Sequence, residues 1–317
     1  MRPIRSGKPD SLFELTDRTQ NGAWHLTPVD DVNKIVLGCI AKAQQHYPVR
    51  LHAFVFMSNH CHLLVSCDDA RQLASFMGFL KCNIARKTNR LLGRRGALWE
   101  RRYRAIAVTL EDAAQIDRLR YVLAHGVKER LVATAREWPG ASSLPWLVDG
   151  KELEGTWHSL TDEYKGTRTS KARAASKPSD FDTVLPIEMS PLPCWAHLPE
   201  QQWRALVAEM VAGIEAELSA EAEAADPPLE VLGVPAILAQ DPLTVPRHCK
   251  RSPAPSVHAG SQAERRRWKR RQRSLRSSYA QASQRFRGGE HGVVFPFGTF
   301  RPLGGFVGWP PEALAMS

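Results

Sequence analysis

Residues 50–66 read RLHAFVFMSNHCHLLVS, and how this stretch folds decides the architecture around it. Two apolar runs, 50–57 and 62–66, rich in aromatic and β-branched residues, flank a short turn at Ser58-Asn59, the pattern of paired strands. His60 and His62 open the second run. Residues two apart on a strand share a face, so both imidazoles reach one metal ion. Cys61, Leu63, Val65 and Cys67 then point to the other face and read as core. A His-x-His pair alone is weak, since 11 His in 317 residues give about 0.4 such pairs by chance.

The flanks extend the pattern. Upstream, residues 11–16 form a short extended segment, and Thr27-Pro28 offers an N-cap followed by proline at the first helical position. Asp30 and Asp31 suit the first turn of that helix. Val32, Ile35, Val36, Cys39, Ile40 and Ala43 follow at helical spacing, and Pro48 ends the run. Downstream, residues 70–92 carry the stripe Leu73, Phe76, Met77, Leu80, Ile84, Thr88 and Leu91, then a basic turn at 93–96. A further strand is expected at 102–108, and Thr109 is the expected cap of a third helix with Asp112 at its N3 position. Strand, helix, strand, strand, helix, strand, helix is the α+β, ferredoxin-like split βαβ arrangement with one added helix.

That added helix carries the chemistry. Its apolar stripe is Ile116, Leu119, Leu123 and Val127. Tyr121, His125 and Lys128 fall within about 60° of one another on the opposite side. A tyrosine recruited for packing belongs on the stripe; this one is off it. Two strand histidines plus His125 form a candidate site for a divalent ion that polarises a phosphate oxygen. Tyr121 is a candidate nucleophile for a covalent phosphotyrosine, and Lys128 a group that neutralises developing charge. Imidazoles without carboxylates suit Mg²⁺ or Mn²⁺ only if phosphate supplies oxygen ligands. Zinc held through Cys61 or Cys67 is the competing metal reading, and strand alternation argues against it. Tyr103 is the rival nucleophile, with no histidine at helical spacing.

Charge points to the same class of partner. The 317 residues hold 43 Lys+Arg against 33 Asp+Glu, so 43 − 33 = +10, with an isoelectric point near 9.5. That excess implies nucleic acid or an anionic surface. No run approaches the roughly 18–20 apolar residues of a membrane span. The first residues, MRPIRSGKPD, lack the apolar region of a secretion signal. The six cysteines at 39, 61, 67, 82, 194 and 249 contain no CxxC pair and read as reduced thiols. A cytoplasmic, nucleoid-associated protein is the expectation.

Three separated motifs now carry a resemblance: LHAFVFMSNHCHLLVS (51–66), GALWERRYRA (96–105) and YVLAHGVKERLV (121–132), with EWPGASS at 137–143. Over residues 11–147 the chain resembles the single-tyrosine HUH transposases, specifically the REP-associated tyrosine transposases related to the IS200/IS605 transposases. The resemblance implies a ferredoxin-like domain that binds single-stranded, hairpin-forming DNA. It implies cleavage through a 5′-phosphotyrosine that leaves a free 3′-OH, with Mg²⁺ or Mn²⁺ as cofactor. It makes His60 and His62 the metal pair, Tyr121 the nucleophile and His125 the third ligand. Three positions depart from the family pattern: Ser58 replaces proline, Cys61 replaces a larger hydrophobe, and His125-Gly126-Val127 stands where Asn-Pro-Val is usual. Trp99, Arg101, Arg102 and Arg104, with Arg86, Arg90, Arg94 and Arg95, are the expected DNA-contacting or packing residues, since base-stacking aromatics beside arginines suit a single-strand binder. The chain is compatible with a monomer or a homodimer. A non-catalytic nucleic-acid-binding protein of the same fold and a metal-dependent phosphohydrolase are the alternatives.

Domain organisation is expected as 1–147 for the transposase-like domain, 148–190 for a polar linker and 191–317 for a helical or irregular basic extension. A helix at 199–223 presents Trp203, Leu206, Val207, Met210, Ile214 and Leu218 on one face. Residues 265–287 hold ten Lys/Arg and no acid, interleaved with Trp268, Leu275, Tyr279 and Phe286. Such a run is a solvated tail or a nucleic-acid contact. The extension also resembles that of larger members of the family at 250–260 and 295–302, and the last thirty residues are Gly- and Pro-rich, with Phe306 and Trp309.

Overall fold

Period-two alternation builds one central sheet. The computed structural model describes residues 11–168, 176–246, 255–297 and 299–302. The N-terminal decapeptide, Cys249, the first part of the 250–260 motif, Phe306 and Trp309 lie outside the described residues. Strands β1 (Ser11–Arg18), β2 (Arg50–Phe56), β3 (His60–Cys67) and β4 (Arg104–Val108) pair antiparallel in the order β2-β3-β1-β4. Helices α1 (Asp30–His46) and α2 (Ala70–Leu91) make the two crossovers. This is the split βαβ topology that the residue pattern implied.

Each strand sends alternate residues to opposite layers. Phe13, Leu15, Cys61, Leu63 and Val65 join Val36, Cys39, Ile40, Leu73, Phe76 and Leu80 on the α1/α2 side. Leu12, Leu64 and Val108 face the other layer, where α3 (Asp112–Leu123) and α7 (Glu200–Glu223) bring Leu119, Val122, Trp203 and Val207. A bulge between Leu51 and Ala53 resets the alternation of β2, so Ala53 and Val55 join Leu64 on the α3 side. Glu14, His60 and His62 share that side and become the polar end of an otherwise apolar layer.

Both expected helix caps are corrected. The α1 helix starts at Asp30, and Thr27 bonds the Trp24 carbonyl instead of the helix amides. The α3 helix has Glu111 at its N-cap, and the Thr109 hydroxyl donates to Glu111. The third helix also breaks at Ala124. A single further turn, α4 (His125–Lys128), follows. In α7, Leu206 is exposed and Val211 takes its place in the buried row.

Residues 148–190, expected to be a linker, fold as far as they are described. After the short helix α5 (Leu144–Asp149), β5 (Leu153–His158) pairs antiparallel with β6 (Asp182–Ile187), with α6 (Leu160–Gly166) between them. This hairpin lies on α1. Gly38 of α1 and Gly155 of β5 meet backbone to backbone, and a Cβ on either would collide with a carbonyl of the other element. Leu153, Trp157, Leu185 and Ile187 complete the contact. Its polar composition reflects a two-stranded sheet with one solvated face.

The extension is also built into the fold. After α8 (Val234–Leu238), β7 (Val257–His258) adds to β4 in parallel, pairing Ala107 with Val257 and Val108 with His258. The basic run then forms α9 (Gln262–Arg287), capped by Ser261, whose Oγ accepts from the Glu264 amide. No helix among the described residues is long and apolar enough to cross a membrane.

Candidate active site

Three imidazoles converge where β3 meets the α3–α4 junction. His60 and His62 project from the same face of β3, and His125 opens α4. Their ligand atoms lie within 4.8 Å of one another. His60 Nε2 is 2.6 Å from His125 Nε2, and the His62 and His125 rings are 4.6 Å apart. Burial pushes the His60 imidazolium well below its ordinary range, helped by the neighbouring His125 and His62. Burial likewise brings His125 down to about 3. Both therefore stand neutral with lone pairs available, the form that binds metal.

Neighbouring acceptors fix which nitrogen is free. His60 Nδ1 is 2.6 Å from Asn59 Oδ1, and His62 Nδ1 is 2.9 Å from Glu14 Oε1. Each partner accepts the Nδ1 proton, which leaves the Nε2 lone pair for a ligand. Burial alone would raise the Glu14 carboxyl, but hydrogen bonds from His258 and His62 hold it well below the carboxylate range. This donor set fits one divalent ion. Imidazole nitrogens suit Mn²⁺ better than Mg²⁺, which prefers oxygen.

Tyr121 stands beside this cluster, half-buried. Its ring is 5.3 Å from His62 and 5.3 Å from His125. Two cations rest on it: the Arg118 guanidinium at 4.9 Å and the Lys128 ammonium at 4.8 Å from the centroid. Burial raises the phenol pKa, the charges of Glu14 and Glu129 raise it further, and Arg118 opposes them. The hydroxyl is thus protonated at neutral pH.

The cluster opens into a cleft of about 1280 Å³ whose walls include Arg18, Arg101, Arg102, Arg104, Arg118 and Arg265. Of the expected DNA-contacting residues, the structure brings Arg101, Arg102 and Arg104 to this cleft. The other five sit elsewhere. Arg90 forms a two-pronged pair with Glu163 of α6, and Arg94 bonds Asn89 and the Ala97 carbonyl. Arg86 and Arg95 are exposed away from the cleft, and Trp99 packs on the core with its indole N–H donating to the Lys81 carbonyl at 3.0 Å.

The competing candidates do not reach the cleft. Tyr103 is buried in the α1/α2 layer. Cys61 and Cys67 share that layer, and burial raises both thiols, Cys67 to about 12. Sequence reasoning missed Glu14, Arg118 and His258. Glu14 has a visible signal, an acid inside the apolar run Leu12–Leu15; Arg118 stands one turn before Tyr121. His258 has none. It reaches the site only because β7 joins β4, which places its Nε2 2.6 Å from Glu14 Oε2.

Comparison with known proteins gives three findings. Residues 27–124 match the family model described as "Transposase IS200 like". No curated protein matches the chain. Among solved structures, the chain is similar to a REP-associated tyrosine transposase bound to a REP hairpin, at 17% identity over 47% of this chain and 84% of that one, TM-score 0.36. It is also similar to a transposase structure from Deinococcus radiodurans R1, at 22% identity over 38% of this chain and 95% of that one, TM-score 0.28. The family match covers His60, His62 and Tyr121 and stops one residue before His125. Over residues 27–124 the chain is thus similar to the IS200-like transposases, the broader family of the resemblance read from the motifs.

Proposed function

We propose that the protein cleaves and rejoins single-stranded, hairpin-forming DNA, with Tyr121 as nucleophile. One observation carries this reading: a lone tyrosine lies 5.3 Å from two histidines of a three-imidazole cluster, between two cations, in an arginine-walled cleft. Tyr121 Oη attacks the scissile phosphorus, an O–P bond forms, and the bond from phosphorus to the 3′ oxygen breaks. The phenol gives up its proton and the departing oxygen gains one as the 3′-OH. Arg118 and Lys128 favour the phenolate that this step develops. A divalent ion on His60, His62 and His125 supplies Lewis-acid polarisation of a phosphate oxygen when bound. Glu14 and Asn59 hold the first two imidazoles in the ligand-competent tautomer, and Arg101, Arg102 and Arg104 steer the strand by phosphate pairing.

Because the 5′-phosphotyrosine conserves the phosphodiester, a second 3′-OH reverses the step and rejoins strands without ATP. The closeness of Tyr121 to His62 and His125 of its own chain supports attack in cis, with no homodimer required. The test is incubation with hairpin-bearing single-stranded oligonucleotide and Mn²⁺, followed by denaturing electrophoresis. An SDS-resistant adduct lost in Tyr121→Phe is the expected outcome. Cleavage that survives Tyr121→Phe without an adduct would refute the assignment in favour of a hydrolase, and retarded DNA without cleavage would leave a binding protein.

A further inference from the structure

The basic run at 265–287 is sorted by its helix. In α9 the half-buried or buried positions are Glu264, Trp268, Gln272, Leu275, Tyr279, Ala282, Ser283 and Phe286, a continuous stripe at helical spacing. The aromatics belong to that stripe. Tyr279 and Phe286 both meet the Phe295 ring, at 5.5 and 5.8 Å. At 100° per residue, Arg265, Arg266, Lys269, Arg270, Arg273 and Arg276 fill an adjoining arc of about 140°. All six are exposed, and none is in an ion pair among the described residues. Arg267 and Arg271 lie beyond the arc and pair with Glu264. The helix therefore separates a packed face, a self-paired edge and an uncompensated cationic face.

That face is anchored to the catalytic layer. The pairing of β7 with β4 delivers the chain to α9, and Glu111, the N-cap of α3, accepts from the Gly260 amide at 2.8 Å and the Ser261 amide at 3.3 Å. One carboxylate thus joins the start of the helix bearing Tyr121 to the start of the basic helix. Arg265, the first residue of the arc, already lines the cleft.

We propose that this arc is the docking surface for the duplex stem of the hairpin whose single strand enters the cleft beside Tyr121; the proposal rests on reading the cleft as a DNA-cleaving centre. The arc spans about 17 Å along the helix at 1.5 Å per residue. A duplex presents one charge per about 1.7 Å, or about ten phosphates over that length. Single-strand surfaces combine cations with stacking aromatics, but here every aromatic of α9 is on the packed face. A rigid, aromatic-free row of cations matches the regularly spaced backbone of a stem. It contributes position and affinity, without base readout.

The test compares the full chain with Arg266→Gln/Lys269→Gln/Arg270→Gln/Arg273→Gln by fluorescence anisotropy, on a hairpin and on an unstructured oligonucleotide of equal length, across a KCl series. Gln is nearly as good a helix former as Arg or Lys, and matched circular dichroism checks the fold. Each phosphate contact steepens the salt slope by about 0.9, which is about an eightfold factor between 1 M and 0.1 M salt. Loss of two or more contacts therefore lowers hairpin affinity by about 60-fold or more at 0.1 M, with less than about threefold change on the unstructured strand. Arg267→Gln/Arg271→Gln, on the paired edge, leaves hairpin binding within about fivefold. Unchanged hairpin affinity in the quadruple variant, equal loss on both DNAs, or an equal effect of the edge pair would overturn the proposal. Hairpin binding that depends on the arc in a protein that forms no tyrosyl adduct would support the docking surface and refute the cleavage reading alone.

Discussion

Replacing Glu14 separates the aim of His62, the proposed metal ligand, from the ligand itself. Its carboxylate is 3% exposed and accepts from His62 Nδ1 at 2.9 Å, so no water substitutes when it is removed. Glu14→Gln keeps an acceptor for the imidazole N–H but loses the charge that makes the ring more basic. Glu14→Leu removes both and frees the ring to rotate. Loss of a carboxylate behind a histidine ligand costs about 10–100-fold in metal affinity. The Gln variant is expected near tenfold, about 1.4 kcal/mol, and the Leu variant near a hundredfold, about 2.7 kcal/mol. Electron paramagnetic resonance reads free Mn²⁺ directly, so affinity is measured without DNA or turnover. The graded order wild type, Gln, Leu is the prediction. A folded Leu variant that binds Mn²⁺ as tightly as wild type would refute the argument that Glu14 fixes His62.

Three other perturbations reach different parts of the molecule. Arg102→Ala/Arg104→Ala removes two cations from the cleft and should weaken single-strand binding about 25-fold at 0.1 M salt, at about fivefold per contact, whereas Arg90→Ala, whose guanidinium is committed to Glu163, should change it less than about twofold by the same anisotropy assay. Gly38→Ala drives a methyl into the Thr156 carbonyl, and urea denaturation should show a loss of about 1–3 kcal/mol; an unchanged midpoint would mean that β5 does not rest on α1. Buried His52 bonds Ser66 Oγ at 2.8 Å and the Pro191 carbonyl at 2.7 Å, and burial brings it down to about 4. Between pH 6.5 and 4 the unfolded chain binds a proton that the folded chain refuses, so stability falls on acidification by about 3 kcal/mol from this group; His52→Gln should flatten that fall in urea midpoints measured from pH 7 to 4.5.

Legibility in the sequence followed the range of the interaction. The strands around Ser58-Asn59, the shared face of His60 and His62, and the grouping of Tyr121, His125 and Lys128 are consequences of local geometry, with periods of 2 and 3.6 residues. The caps failed because the helices begin two residues further on, with Val29 and Glu111 at the N-cap positions, which leaves the Thr27 and Thr109 hydroxyls to donate locally to the Trp24 carbonyl and to Glu111. The 148–190 segment misled because only a few apolar residues of its two short strands, Leu153, Trp157, Leu185 and Ile187, pack on α1, and its closest approach uses Gly38 and Gly155, which leave no hydrophobic trace. The run at 265–287 read as a solvated tail or a nucleic-acid contact, and only its helical phase shows that Trp268, Tyr279 and Phe286 lie on the packed face, apart from the exposed cations. His258 lies 244 positions from Glu14, and no local pattern links two residues joined only by strand pairing.

The pairing of β4 with β7 also sets an order of events during synthesis. Ala107 and Val257 are partners across 150 intervening steps of chain, so this contact closes late, after the local hairpin and helices have formed. At roughly 5–20 residues per second, a ribosome needs about 6–26 s to travel from the end of α4 to Val257. Throughout that interval the nascent chain already carries Tyr121 and all three histidines, while β4 presents an open edge and Glu14 lacks its second partner. An emerging polypeptide thus holds the candidate site residues before it holds the strand that covers the β4 edge and brings His258 to Glu14.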